Sequence, residues 1–303
     1  LYTLSKLDEI NIYNITPTSV DISFNVLNVY YVTISTIING ILISNKIENL
    51  NSFPLDNKYT FSGLTPDVSY IFTITPFNLE NAAGFYISSP TYYTLSSVNN
   101  VVITNPTTTT IDISFVCSDL SFVSITANIG NTSTILGPNI YSKSSFGNWI
   151  TFNGLSSDVS YSFNVTPYNH ARLPGTSVLS TMSLYTNTSV SNVIQTPFDS
   201  SSIQINFDNT NLTYVIIQAN IGDTNRPYLK IRKDSPFTKP VIFNGLLTDV
   251  SYTFMVTPFN HIDISGISSG NSSVVYTLST VNNVIPTVMD SSSIQVSFGN
   301  SDL

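Results

Sequence analysis

The sequence predicts an all-β protein made of tandem, seven-stranded antiparallel β-sandwiches. Three features lead to this fold class: a phrase that recurs about every 91 residues, apolar residues that alternate with polar ones, and turn-forming residues at intervals of about 8 to 12. No stretch combines helical periodicity with capping residues at both ends. Sandwiches follow because a small unit with alternating faces buries them by packing two sheets together.

The recurring phrase sets the domain organisation. It reads Phe61-Ser-Gly-Leu-Thr-Pro-Asp-Val-Ser-Tyr70 in its first copy, and its glycines, Gly63, Gly154 and Gly245, are 91 and 91 residues apart. We therefore predict repeats over residues 1–95, 96–187 and 188–278, followed by the start of a truncated fourth repeat over 279–303. The chain opens on Tyr2-Thr-Leu-Ser5, a phrase that closes other repeats, so we expect it to be cut from a longer protein.

Two strands of each repeat are evident from their alternation. In the run that ends at Phe24, Val20 and Ile22 fall in step with the phenylalanine. In the run that begins at Tyr70, Phe72 and Ile74 share one face. β-Branched and aromatic residues dominate both runs, and their counterparts recur in the later repeats. The remaining runs bring the total to about seven short strands per repeat.

The recurring phrase resembles the corner between strands E and F of the fibronectin type III domain. That family places a Leu six residues before a Tyr with a Pro between them, as in Leu64, Pro66 and Tyr70. The later copies keep the spacing but replace the proline with Ser157 and Thr248. The resemblance covers the whole chain and implies a fibronectin type III sandwich in each repeat. The tyrosine hydroxyl is then expected to bond the backbone a few residues upstream.

The core assignments follow from this alignment. The family carries a Trp on strand B, where this chain has phenylalanine, which fills the place with less buried area. The predicted structural core residues are Phe24, Phe115, Phe207, Phe298, Leu64, Leu155, Leu246, Tyr70, Tyr161 and Tyr252.

The composition limits the partners. Only 9% of residues are charged, against about 25% in typical soluble domains. A net charge of −8 with ten Lys and Arg leaves no basic stripe, so nucleic acid and anionic membranes are not expected partners. No apolar run reaches the roughly 18 residues needed to span a bilayer. The expected partners are neighbouring copies or other surface or assembly proteins, and the ligand is unknown.

The polar residues predict no catalytic, cofactor or metal site. His170 and His261 occupy equivalent places, but each lacks a second ligand at metal-binding spacing, so both are interpreted as duplicated loop residues. The recurring aspartates, Asp67, Asp158 and Asp249, fall in a turn where Asp bonds its own backbone. The single cysteine, Cys117, is interpreted as a small buried apolar residue. The sequence therefore predicts a protein that is not an enzyme and needs no cofactor.

Two functional readings remain open. The first is a non-catalytic spacer array that forms part of a fibre, stalk or surface layer, located extracellularly or on a virion surface. A surface with few charges favours it, because such a surface packs readily against neighbours. The second is an adhesive module that presents its F–G loops to a cell surface or polysaccharide. Exposed aromatic residues in those loops favour the second reading. Phe85 with Tyr86 is the only such pair, and the sequence fits a place in strand G equally well.

Overall fold

The computed structural model describes residues 5–38, 41–49, 58–130, 132, 134–222 and 227–301. These residues form antiparallel strands, and the only helical residues among them are a single 3-10 turn, Lys143–Ser145. No helix within these ranges is long and apolar enough to cross a membrane.

The first repeat contains eight strand segments in two sheets. The segments are β1 (Lys6–Tyr13), β2 (Ser19–Leu27), β3 (Tyr31–Ile38), β4 (Ile41–Asn49), β5 (Lys58–Ser62), β6 (Ser69–Phe77), β7 (Ile87–Ser88) and β8 (Tyr92–Tyr93). One sheet has the order β1-β2-β5, and the other has the order β4-β3-β6-β7, with β8 also paired to β6. The last two segments are thus one interrupted strand, and the described residues of this repeat form seven strands.

The second repeat follows the same plan. Its segments are β9 (Val98–Thr104), β10 (Thr110–Cys117), β11 (Phe122–Ile129), β12 (Ile135–Ser142), β13 (Ile150–Asn153), β14 (Ser160–Tyr168), β15 (Val178–Leu179) and β16 (Leu184–Tyr185). The sheet orders are β13-β10-β9 and β12-β11-β14-β15, with β16 paired to β14.

The third repeat and the residues after it complete the described strands. The segments are β17 (Val190–Pro197), β18 (Ser202–Asn209), β19 (Tyr214–Ile221), β20 (Pro227–Asp234), β21 (Val241–Asn244), β22 (Ser251–Phe259), β23 (Val275–Tyr276), β24 (Thr280–Val288) and β25 (Ile294–Ser301). The third repeat has sheets β17-β18-β21 and β20-β19-β22-β23, whereas β24 and β25 form a hairpin.

The strand order confirms the predicted fold class. The sequential strands A to G of a fibronectin type III sandwich divide into an A-B-E sheet and a C′-C-F-G sheet, which is the order found in all three repeats. All-antiparallel pairing lets each sheet turn one face to the core and one to water, as the sequence alternation requires.

The cores of the first and third repeats are continuous apolar clusters. In the first repeat, Ile22 and Phe24 from β2 pack with Ile34 from β3 and with Phe72 and Ile74 from β6. In the third repeat, the equivalent strands contribute Ile205, Phe207, Ile217, Phe254 and Val256. Each cluster joins residues of both sheets, which is how the two apolar faces leave water.

The predicted core residues lie in three kinds of environment. Eight are buried: Phe24, Phe207, Leu64, Leu155, Leu246, Tyr70, Tyr161 and Tyr252. Phe115 is only half-buried. Phe298 departs from the predicted core position, because its side chain is 53% exposed on the β24–β25 hairpin. The hairpin pairs with no other described strand, and Val288, Ile294 and Val296 on it are more than half exposed as well.

The described chain also divides into two compact units. The first comprises residues 1–103, 113–150 and 162–183, and the second comprises 104–112, 151–161 and 184–303. The contacts between the first two repeats described below fall inside the first unit, and those between the second and third repeats fall inside the second unit. The predicted repeat boundaries themselves stay predictions.

We expect Phe207→Ala to destabilise the third repeat by about 3–5 kcal/mol, because the ring is 2% exposed and lies 5.8 Å from the Phe237 ring. Hydrogen exchange of the β18, β19 and β22 amides in the full chain measures this loss. Phe298→Ala is the control, since an exposed ring contributes about 0.5 kcal/mol or less. Equal protection losses in the two variants would contradict the core assignment.

A second prediction concerns the turn that joins β24 to β25. The Ser293 hydroxyl and the Ser292 backbone N–H donate to the Asp290 carboxylate and lower the pKa of Asp290 to about 2. Because this native pKa lies below the unfolded value, the stabilisation is present above about pH 4 and is lost as the pH falls towards 2. A carboxyl-carbon NMR titration should show this, and Ser293→Ala should raise the pKa of Asp290 without moving that of Asp199. An unchanged Asp290 titration in that variant would exclude the hydroxyl as the cause.

Candidate functional site: the Asp–His junctions between repeats

The recurring phrase forms a braced turn at the same end of each repeat. We call this segment the corner turn, and it comprises residues 63–68, 154–159 and 245–250. The Tyr70 hydroxyl accepts the backbone N–H of Thr65 at 2.8 Å, and Tyr161 and Tyr252 do the same in the later repeats at 2.9 Å. Burial raises the pKa of the Tyr252 phenol, while the N–H bond from Leu247 acts in the opposite direction.

A threonine braces the corner turn from its other side. Thr94 follows β8, accepts the N–H of Val68 at 3.1 Å and donates to the carbonyl of Thr65 at 2.7 Å. Thr186 and Thr277 make the same pair of bonds in the second and third repeats. These threonines follow Tyr93, Tyr185 and Tyr276 in the phrase that closes each repeat. That closing phrase is therefore hydrogen-bonded to the corner turn of its own repeat.

The brace holds one aspartate of each corner turn in a left-handed conformation. Asp67, Asp158 and Asp249 have φ angles of 56°, 54° and 56°. Asp tolerates this region better than most side chains do. The carboxylate is therefore presented from a fixed backbone position in every repeat.

The corner turn of one repeat meets the F–G loop of the next repeat. The F–G loops comprise residues 78–86, 169–177 and 260–274, and the contact is made at the start of the loop. The motif Thr-Pro-aromatic-Asn closes the preceding strand, and in the second repeat the aromatic residue, Tyr168, stacks on Phe122 of β11 at 4.6 Å. The amide oxygen of Asn169 accepts the N–H of Leu173 at 2.8 Å and closes the loop. His170 follows Asn169 directly, so the closed loop fixes the backbone position of His170.

At the first junction, Asp67 and His170 meet across two repeats. Asp67 Oδ1 accepts the backbone N–H of His170, and Asp67 Oδ2 contacts His170 Nδ1, both at 2.7 Å. The Asn169 side-chain amide also donates to the Thr94 carbonyl at 3.0 Å. The Asp67 side chain is 0% exposed. Because an ionised carboxylate only accepts hydrogen bonds, His170 Nδ1 carries a proton here.

The second junction uses the same residues with one addition. Asp158 Oδ1 accepts the backbone N–H of His261 at 2.8 Å, and Asp158 Oδ2 accepts the Thr213 hydroxyl at 2.9 Å. His261 Nδ1 lies 2.9 Å from that hydroxyl oxygen and 3.6 Å from the carboxylate. The single hydroxyl proton goes to Asp158, so Nδ1 is again the donor. The His261 ring also stacks on Tyr185, with ring centroids 6.4 Å apart.

A glycine lets the incoming chain approach each F–G loop. A Cβ on Gly175 would lie 2.1 Å from the Ser96 carbonyl oxygen, and one on Gly266 would lie 2.0 Å from that of Thr188. Both distances are far below contact distance, so only glycine fits. Ser96 and Thr188 belong to the short connections between repeats and are buried, which fixes each connection against the repeat that it enters.

The backbone N–H is the main contribution of each histidine. The histidine side chains are 64% and 69% exposed, so solvent weakens their ionic interaction. The aspartate oxygens, by contrast, are almost fully buried at both junctions. A buried carboxylate that accepts charge-assisted hydrogen bonds gains about 1.5–3 kcal/mol from each. The aspartate, rather than the histidine ring, is thus the central residue of the junction.

These contacts correct the interpretation of both residue types. The Asp67 and Asp158 carboxylates accept hydrogen bonds from the following repeat. The histidines are not merely duplicated loop residues, because each meets an aspartate. The sequence carries only an indirect signal: both pairs are separated by the same 103 residues, which relates the two junctions but does not by itself place Asp and His in contact.

The polar contacts of the Asp–His pairs run from one repeat to the next. In the described part of the chain, neither histidine accepts a hydrogen bond at its Nε2 from a Ser, Thr or Cys side chain, the contact that a catalytic triad uses. The same residues contain no group of three or more His, Cys, Asp or Glu side chains that could hold a metal ion.

Two solved chicken structures are similar to this chain at 14% sequence identity or less. No protein-family model and no curated protein matches the chain. A chicken contactin-1 structure comprising the FN1–FN3 domains is 14% identical, with 90% of this chain and 98% of that chain covered and a TM-score of 0.28. A two-domain fibronectin type III segment of chicken tenascin is 12% identical, with 59% of this chain and 99% of that chain covered and a TM-score of 0.42.

We expect Asp67→Gly to speed hydrogen exchange of the His170 amide by about 10- to 100-fold, because it removes a charge-assisted acceptor. Glycine tolerates the left-handed backbone, so the turn itself is not strained. His170→Leu, which copies Leu79 of the first repeat, should have a smaller effect because it keeps the backbone N–H. Both are measured by NMR on the full chain.

Asp249→Gly is the matched control. It makes the same change in a corner turn whose aspartate is exposed, so exchange at His170 should not change. Equal effects of the Asp67 and Asp249 variants would mean that the junction does not depend on the carboxylate.

Proposed function

We propose that this chain is a non-catalytic spacer array in which sandwiches are joined in series by Asp–His junctions, as part of a fibre, stalk or surface layer. The observation that carries the proposal is the repetition of one junction chemistry at the same sequence separation. Residues that serve an isolated domain have no reason to be shared in this way. An extracellular or virion-surface location belongs to the same proposal.

The low charge supports an assembled state. With 9% charged residues, most of the surface is uncharged and polar, and packing it against neighbouring copies or other assembly proteins displaces few solvated ions. The buried, hydrogen-bonded connections between repeats also suit a spacer, because a flexible linker would let the distance between its ends vary.

A second candidate function is adhesion through the first F–G loop. Phe85 and Tyr86 precede strand β7 and therefore belong to the loop, where they are 81% and 68% exposed. Leu79 in the same loop is also exposed. The equivalent residues of the second repeat are Thr176 and Ser177, so the aromatic pair is particular to the first repeat. Exposed aromatic side chains are frequent anchors in binding interfaces.

An in-frame deletion of residues 97–188 tests the spacer function. It joins Ser96 to Ser189 at equivalent positions, and it brings His261 into the place of His170 opposite Asp67. Strands of about nine residues span roughly 30 Å. We expect the native assembly, measured by electron microscopy, to form and to be shorter by about that length per chain. Loss of assembly, or unchanged length, would contradict the spacer function.

The double variant Phe85→Thr/Tyr86→Ser tests the adhesive function in the same assembly. It introduces the residues that the second repeat has at the equivalent positions, Thr176 and Ser177, so both are compatible with an F–G loop of this chain. Under the spacer function, both assembly and length stay unchanged and no binding to glycan arrays or cells is lost. A saturable binding that the double variant abolishes would favour adhesion instead.

A further inference from the structure

The second repeat contains a cavity that its core does not fill. It lies between the end of β10 and the segment that joins β12 to β13, and its volume is about 140 Å³. A buried apolar cavity of about 150 Å³ is large enough to hold benzene. The space in the second repeat is close to that volume, although it is partly open to solvent, and a single six-membered ring fits its size.

Aromatic side chains form the walls of this cavity. Phe115 and Phe146 meet edge to face with centroids 5.7 Å apart, and Trp149 lines the cavity while remaining 61% exposed. A Cβ on Gly147 would have no atom within 4 Å, so that side is open. Aromatic faces stack on flat or apolar ring faces. The half-buried state of Phe115 is thus explained, because its ring borders an open site.

A lysine ammonium stands at the edge of the same cavity. Lys143 Nζ lies 5.1 Å from the Phe146 ring centroid and 3.2 Å from Cys117 Sγ. Among the described residues, this thiol is the only side-chain acceptor recorded for the ammonium, and sulfur accepts hydrogen bonds weakly. Lys143 is exposed, so its other donors are free for water or for an oxygen acceptor that replaces water.

The third repeat shows the contrasting arrangement. Its Lys239 lies over Phe207, with Nζ 4.6 Å from the ring centroid. Lys239 donates to the backbone carbonyl of Phe207 and to the side-chain oxygen of Asn209. Cys117 stands where Asn209 stands, two residues after the strand phenylalanine. The third repeat thus provides internal oxygen acceptors for its lysine, whereas the described residues of the second repeat offer Lys143 only the Cys117 sulfur.

We propose that the cavity of the second repeat binds a six-membered ring that carries a carboxylate. The ring lies against Phe115, Phe146 and Trp149, and the carboxylate accepts hydrogen bonds from Lys143 Nζ. This chemistry has two sources, a free ring acid or a uronic-acid residue of a polysaccharide. The site does not depend on the spacer function.

The chain carries its own reporters for this site. Trp149 is its only tryptophan and Cys117 its only cysteine, and both line the cavity. Binding should change Trp149 fluorescence and slow alkylation of Cys117 with the same midpoint. The probes are benzoate and cyclohexanecarboxylate for a free acid, and trigalacturonate for a polysaccharide. Benzyl alcohol and inorganic phosphate test the ring and the anion alone and should bind at least about tenfold more weakly.

Lys143→Gln should weaken binding of the acid probes by about tenfold or more, because it removes the charge-assisted hydrogen bond. Lys239→Gln makes the same change in the third repeat and should leave binding unchanged. If trigalacturonate binds more tightly than the free acids, the natural ligand is a polysaccharide. If the free acids bind more tightly than trigalacturonate, the natural ligand is a free ring acid. The proposal is overturned if neither reporter responds to any acid probe, if phosphate binds as well as benzoate, or if the two lysine variants behave alike.

Discussion

Each junction between repeats depends on a carboxylate that one repeat supplies and the next repeat satisfies. The corner turn can present Asp67 in a buried position only because donors arrive from the F–G loop that starts at His170. Without them, a charged group would be buried without a hydrogen-bonding partner, which is strongly unfavourable. The burial of the aspartate therefore couples the position of one repeat to that of the next.

The residues that hold the corner turn in place make hydrogen bonds within their own repeat. Tyr70 and Thr94 satisfy the backbone of the corner turn, and the Thr94 carbonyl then accepts Asn169 from the following repeat. Folding within a repeat and joining between repeats thus use the same few groups. This sharing explains how a junction can recur whenever the repeat does, with only a local variation such as Thr213 at the second junction.

Much of the fold could be predicted from single residues and their spacing. Period-two alternation in runs such as Val20 to Phe24 identified strands, and the Leu64–Tyr70 spacing identified the corner, because both patterns depend on neighbours within a few residues. The environments of Phe115 and Phe298 could not be predicted in the same way. Each depends on residues distant in the chain: Phe115 borders an open cavity, and Phe298 is exposed on a hairpin that pairs with no other described strand.

The sequence by itself determined the all-β class, the repeat length and the residues of the corner turn, since these are properties of local pattern and of its recurrence. Only the tertiary structure decided that Asp67 meets His170, that Asp158 meets His261, and that Lys143, Cys117 and Trp149 border one cavity. The junction pairs are 103 residues apart in the chain. Contacts at that distance are set by how sheets and loops are placed in space, and no local pattern contains that information.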